Sequence, residues 1–168
     1  MGLEEEFSKI YLASQADGLM LFVKNSNLYV FDGKMNIHFF PCSTSKNGFG
    51  FELNSQKTPS GLFRIAQKIG DKQPLGMEFI ERKIAGLAHI NRTKAPLESK
   101  VLTRILWLSG LDKENSNTLN RFIYIHGTAN EWAIGTPITN GCIVMRNNHI
   151  VQLVDIVVEG TLVYIFGE

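Results

Sequence analysis

Apolar residues fall in short runs along most of the chain, with polar tetrapeptides or glycines between them. Residues 19–23 and 28–31 flank Lys24-Asn25-Ser26-Asn27, the pattern of a hairpin. Asp32-Gly33-Lys34-Met35 is a second turn and leads into a strand over 36–42. Strand character resumes over 61–68 and, after a Gly-Asp turn, over 74–81. Residues 101–109 are apolar almost without interruption, a pattern that a short helix and a buried strand share. Residues 122–125, 143–145 and 162–166 read as further strands, and 86–100 as irregular. Helical spacing occurs at Phe7, Ile10 and Tyr11 within 7–16. It recurs at Ile150, Val151, Leu153, Val154 and Ile156, behind Asn147 or Asn148 as the cap. Many short strands with one or two helices predict a mainly-β fold, a sandwich or partly open barrel.

A chain of 168 residues is long enough for one domain with a real core, taken as 1–168 with 1–18 as an N-terminal extension. The net charge of +1 gives no broad basic field for nucleic acid, and no eighteen-residue apolar run predicts a transmembrane segment. Met1-Gly2-Leu3-Glu4-Glu5-Glu6 lacks the positive start and apolar stretch of a secretory signal. The expected location is therefore the cytoplasm, the alternative being the periplasm or cell envelope if a signal has been removed. Cys42 and Cys142 have no spacing that demands a disulfide, and two free thiols suit a reducing compartment. No Cys-x-x-Cys or His-Glu-x-x-His spacing occurs, so no metal or other cofactor is expected.

The chemistry concentrates in residues 121–147, RFIYIHGTANEWAIGTPITNGCIVMRN. One apolar run ends on His126 and Gly127; another begins just after Cys142. A thiol is a good nucleophile only as the thiolate, and a neighbouring imidazole is the usual way to obtain one near neutral pH. His126 and Cys142 sit at the edges of two short strands that can be neighbours. Gly141 lets the backbone turn tightly, so that N–H groups of Cys142, Gly141 and Asn140 face a developing oxyanion.

This stretch resembles the catalytic signature of the L,D-transpeptidase (YkuD) family: His-Gly, then Ser/Thr-His-Gly-Cys, an apolar residue, Arg, and an Asn shortly after. His126, Gly127, Thr139, Gly141, Cys142, Ile143 and Asn147 match. The likeness extends upstream to Thr44-Ser45-Lys46, Lys57-Thr58-Pro59-Ser60-Gly61, Gly70-Asp71, Pro74-Leu75-Gly76 and Thr103-Arg104-Ile105-Leu106-Trp107-Leu108. It departs twice: Asn140 stands where the family usually has His, and Val144 where it usually has Arg.

The resemblance implies a β-sandwich catalytic domain and a cysteine acyl-transfer enzyme without cofactor. Its partner is a peptidoglycan stem peptide or soluble muropeptide, cut between a diamino acid and terminal D-alanine through a thioester on Cys142. His126 is the expected proton shuttle, and a thiolate–imidazolium pair the expected resting form; a backbone carbonyl or a side chain would orient the ring. A signal-less chain points to a cytoplasmic L,D-carboxypeptidase in wall recycling; the alternatives are a cross-linking L,D-transpeptidase and an inactive wall-binding module. Substrate-binding candidates are Thr139, Tyr124, Arg104, Trp132 and Arg146. Tyr124 lines the cleft or turns outward on its strand, and Arg104 reads a carboxylate or holds a structural salt bridge. Trp132 covers the site or caps the core. Arg146, sharing the strand face of Val144, offers a cation where valine has none. The polar residues 43–60 read as a long loop on the active-site side.

Overall fold

The computed structural model describes all 168 residues. Helix α1 (Leu3–Ala13) precedes an antiparallel meander of β1 (Met20–Lys24), β2 (Asn27–Phe31) and β3 (Ile37–Ser43). After the polar loop come β4 (Gly61–Ile69), the hairpin β5 (Met77–Ile80) and β6 (Lys83–Leu87), and β7 (Val101–Gly110). The last third holds β8 (Tyr124–Gly127), β9 (Ile143–Met145), α2 (Asn147–Ile156) and β10 (Leu162–Ile165). The strand order β4-β10-β1-β2-β3-β9-β8-β7 is closed by pairing of β7 with β4, and β5–β6 hangs from the edge of β7. The expected sandwich or partly open barrel is thus a ring of strands with the β5–β6 hairpin appended. No helix is long and apolar enough to cross a membrane.

Alternation along each strand divides its side chains between two faces. Leu21, Val23, Leu28, Val30, Phe63, Ile65, Leu106 and Leu108 enter one continuous core, which α2 fills with Ile150, Leu153 and Val154. The opposite face of β1 and β2 carries Met20, Phe22 and Phe31, too apolar to leave in water, and α1 covers it. Phe7 of α1 is fully buried there and stacks on Phe22 with ring centroids 4.1 Å apart. A third cluster, Phe79, Ile105 and Tyr124, lies between the β5–β6 hairpin and the β7–β8 wall.

Several expected boundaries move, each for a local reason. Helix α1 begins before Phe7 because Glu4, Glu5 and Glu6 in its first turn complement the helix dipole. Residues 101–109 form the strand β7, both of whose faces are covered, so its apolar residues run on without alternation. Neither Asn147 nor Asn148 caps α2. Arg146 is the N-cap residue and offers no side-chain bond; the carboxylate of Glu131 accepts the Asn147 N–H at 2.8 Å instead.

Burial of Phe7 makes a direct prediction. Replacing a fully buried phenylalanine by alanine costs about 3–5 kcal/mol. Urea unfolding of Phe7→Ala is expected to show a loss of that size; a loss below about 1 kcal/mol would mean that α1 does not seal the sheet.

Candidate active site

The parallel pairing of β8 with β9 builds the site. Its register sets Ile125 beside Ile143, His126 beside Val144 and Gly127 beside Met145. Ile125, Ile143 and Met145 point into the main core, so alternation turns Tyr124, His126, Cys142 and Val144 to the other face. Cys142 and His126 lie diagonally on that face; the sulfur contacts run to the backbone of Tyr124 and Phe122, and the two side chains are not hydrogen-bonded to each other. Both line one cleft of about 240 Å³, together with Lys46, Leu97, Glu98, Thr128, Asn130 and Val144 among others. The cleft leaves Cys142 partly open, whereas Cys42 is fully buried; both are free thiols.

Backbone contacts fix the geometry of each group. The His126 ring nitrogen Nδ1 meets the Gly127 carbonyl oxygen at 2.5 Å. That carbonyl can only accept, so Nδ1 carries the proton and Nε2 is left with its lone pair. A backbone carbonyl, not a side chain, therefore orients the ring. The Cys142 sulfur accepts the Tyr124 N–H at 3.3 Å, and its own proton lies toward the Phe122 carbonyl at 3.5 Å. Burial pushes the thiol up to about 11, against the pull of the Tyr124 N–H and of the Arg121 cation. Burial likewise lowers His126 to about 4, and the Gly127 carbonyl offsets this only in part. Both shifts favour the neutral form. These directions favour thiol and imidazole over the expected thiolate–imidazolium pair.

The loop before Cys142 is held from three sides. Thr139 Oγ1 donates to the Cys142 carbonyl at 2.7 Å and accepts the Gly141 N–H at 3.2 Å. Thr58 Oγ1, fully buried, donates to the Gly141 carbonyl at 3.0 Å and accepts the Ser45 N–H at the same distance. Gly141 has φ +126, which favours glycine, and an added Cβ would sit tightly at 3.3 Å from the Lys57 carbonyl oxygen. Of the three N–H groups expected to face an oxyanion, that of Gly141 is bound to Thr139. Those of Cys142 and Asn140 meet no protein acceptor and are the two available donors.

The remaining candidates separate. Thr139 lines the cleft, but its hydroxyl braces the nucleophile turn. Asn140 also lines it, is exposed, and donates from its side chain to Ser99 Oγ at 3.3 Å. Tyr124 is buried beside the cleft: its hydroxyl accepts from Arg82 at 3.0 Å, its backbone N–H bonds the sulfur, and Cys142 packs against the cluster it forms with Phe79 and Ile105. Arg104 is not in the cleft. Its guanidinium donates to the carbonyls of Gln73 and Thr103, closing a bulge in β7 where Thr103 has φ +76. Trp132 and Arg146 line a second cleft with Arg92 and Asn148, because β9 stops at Met145 and the chain turns into α2 before Arg146 can share the face of Val144.

Three parts of the site were given no site role by the sequence. Residues 97–100, read as irregular, form one wall of the cleft with Val101, the first residue of β7. Asn147, a signature match read only as a candidate helix cap, is buried: it accepts from Thr103 Oγ1 and donates to the Thr128 carbonyl and to Glu131, clamping β7, β8 and α2 together behind the site. Arg121 donates to the carbonyls of Gly50 and Lys57 and ties the 43–60 loop to the start of β8.

The model of the L,D-transpeptidase catalytic domain (YkuD) matches residues 17–165. Among solved structures, the L,D-transpeptidase fragment from Xylanimonas cellulosilytica is similar at 14% identity and a TM-score of 0.56, covering 94% of this chain and 68% of that one. Bd1075 from Bdellovibrio bacteriovorus is similar at 18% identity and 0.56, covering 92% and 50%. The L,D-transpeptidase from Mycobacterium smegmatis is similar at 14% and 0.54, covering 90% and 59%. The chain thus spans from half to about two thirds of the length of these structures. At such identities the likeness is one of fold. No curated protein matches by sequence.

The neutral pair predicts a pH profile. The thiolate fraction of a thiol near 11 rises about tenfold per pH unit below that value. The rate of Cys142 alkylation by iodoacetamide in the free protein is therefore expected to climb steeply from pH 6 to pH 9. A rate that is flat across pH 5–8 would indicate a preformed ion pair and contradict this account.

Proposed function

The chain belongs to the L,D-transpeptidase catalytic-domain family, and we propose that it cleaves the amide between the diamino acid and the terminal D-alanine of a peptidoglycan tetrapeptide stem, with water as the final acceptor. The observation that carries this reading is the shared cleft of Cys142 and His126, with free backbone N–H donors beside the sulfur. A substrate carbonyl seated there takes the sulfur as nucleophile. The thiol proton moves to His126 Nε2 as the S–C bond forms, and the carbonyl oxygen gathers charge toward the N–H groups of Cys142 and Asn140. Collapse breaks the C–N bond, and Nε2 hands its proton to the leaving amine. Water then attacks the thioester, giving one proton to Nε2, from which it returns to sulfur as the acid departs.

Neutral reactants suit this sequence. No charge must be held in the buried site before substrate arrives, and the charge that develops does so where the N–H groups already point. The same reading proposes a cytoplasmic setting, where soluble stems occur, and the two unpaired thiols support it. Transfer to an amine acceptor is the second reading, favoured by the likeness to L,D-transpeptidase structures.

Incubation with a defined tetrapeptide, followed by mass analysis, tests the proposal. Tripeptide and free D-alanine are the expected products. Cross-linked dimers or exchanged D-amino acids with little tripeptide would replace hydrolysis by transpeptidation, and no product with no acylated Cys142 would leave only a wall-binding module. Cys142→Ala is expected to abolish turnover without changing the unfolding curve, and His126→Ala to lower kcat/KM by about 10²–10⁴-fold. Full activity in Cys142→Ala would remove the mechanism. Cell fractionation tests the setting: recovery with the envelope would overturn it.

A further inference from the structure

We infer that Lys46 is the carboxylate-binding residue of the cleft, supplying from the 43–60 loop the positive charge that Val144 does not. This rests on the substrate reading above only for the identity of the carboxylate.

Charge accounting within the cleft leads to this residue. The lining contains two lysines, Lys46 and Lys100, and one carboxylate, Glu98. With Cys142 and His126 neutral, two positive charges and one negative leave the cleft at +1. Lys100 is already matched: its Nζ is 3.6 Å from Glu98 Oε1, while Asn91 Nδ2 donates to Oε2 at 3.2 Å. Lys46 has no acidic partner within ion-pair distance and makes no side-chain hydrogen bond, so its ammonium is the uncompensated charge. Arg121, Arg104 and Arg146 do not compete, since the first two donate to backbone carbonyls and the third lines the other cleft.

Position makes the charge useful. The Lys46 N–H donates to the Thr139 carbonyl at 3.1 Å, and Ser45 pairs with Thr139 as a parallel bridge. Ser45 is itself buried and held by Thr58 and by the Gln56 carbonyl. The lysine backbone is thus locked to the turn that carries Cys142, while its side chain stays exposed and free to swing over the cleft. A lysine is a mobile point charge rather than a rigid fork, so it attracts a carboxylate without prescribing bidentate geometry. Val144 and Asn140, which line the same wall, contribute no charge.

Charge-selective alkylation tests the assignment without any assumption about substrate. Iodoacetate and iodoacetamide differ in the carboxylate, and the fully buried Cys42 is silent toward both. The ratio of their rates at Cys142 is expected to fall several-fold in Lys46→Met, to be kept in Lys46→Arg, and to move less in Lys100→Met, which also frees Glu98. An unchanged ratio in Lys46→Met would overturn the assignment. Peptide arms then identify the carboxylate. Lys46→Met is expected to raise KM about tenfold or more for the free-acid tetrapeptide. It should leave KM unchanged either for the C-terminal amide or for a peptide whose diamino acid lacks its side-chain carboxylate, whichever removes the bound group. Equal KM effects on all three peptides would overturn a carboxylate contact. If the wild-type protein turns over no stem peptide, the substrate reading fails and the alkylation ratio still decides the role of Lys46.

Discussion

The parallel register between β8 and β9 is the constraint on which the rest of the site depends. These strands have four and three residues, so few hydrogen bonds hold them. The register is set by what lies on the far side: Ile125, Ile143 and Met145 enter the main core, where α2 closes over them. A slip of one residue would bring Cys142 and Val144 into that core and expose the isoleucine and methionine in the cleft. Close backbone packing reinforces the pairing. Gly127 leaves no room for a side chain against the Leu102 carbonyl, only 2.7 Å from where a Cβ would stand, and Asn147 bridges neighbouring elements behind it. Core burial thus does the positioning, and the reactive groups occupy the face it leaves over.

The electrostatics follow from that placement. A thiol and an imidazole on a largely covered wall are both driven to neutrality, and the cations around them come from loops. Arg121 pulls weakly on the sulfur from the end of the 3-10 turn at Leu119–Arg121, and Lys46 overhangs the cleft from the long loop. That loop is more than a cover. Through Thr58 it holds the Gly141 carbonyl, and through Lys46 it holds the Thr139 carbonyl, so its shape and that of the nucleophile turn are one problem. The replacement of arginine by Val144 and of histidine by Asn140 leaves this scaffold whole, because the contacts that shape the turn run through Thr58, Thr139 and backbone atoms.

How much of this could be read in advance depended on whether a signal was local. The meander β1–β3 and the strands around His126 and Cys142 were legible because each is a short apolar run with a marked turn. The period failed for β7, whose two buried faces remove the alternation. Arg146 was misplaced because two-residue spacing was carried past Met145, where strand gives way to helix; the cause is Glu131, a distant carboxylate whose capping of α2 no local pattern announces. Arg104 read as a substrate cation or a structural salt bridge, but it serves a bulge, donating to the adjacent Thr103 carbonyl and to that of Gln73, 31 residues upstream. The wall at 97–100 has no periodicity at all and gains its meaning only from lining the cleft with His126 and Cys142. Residue identities pointed to the chemistry, whereas the pKa directions required the burial that only the fold supplies.

A crystal structure of the protein acylated on Cys142 by a stem peptide tests the central claim most directly. The account places the thioester carbonyl oxygen within about 2.7–3.1 Å of the Cys142 and Asn140 N–H groups, with His126 Nε2 facing the sulfur and Nδ1 still on the Gly127 carbonyl. A carbonyl turned away from both N–H groups, or an imidazole swung out of reach of the sulfur, would contradict it.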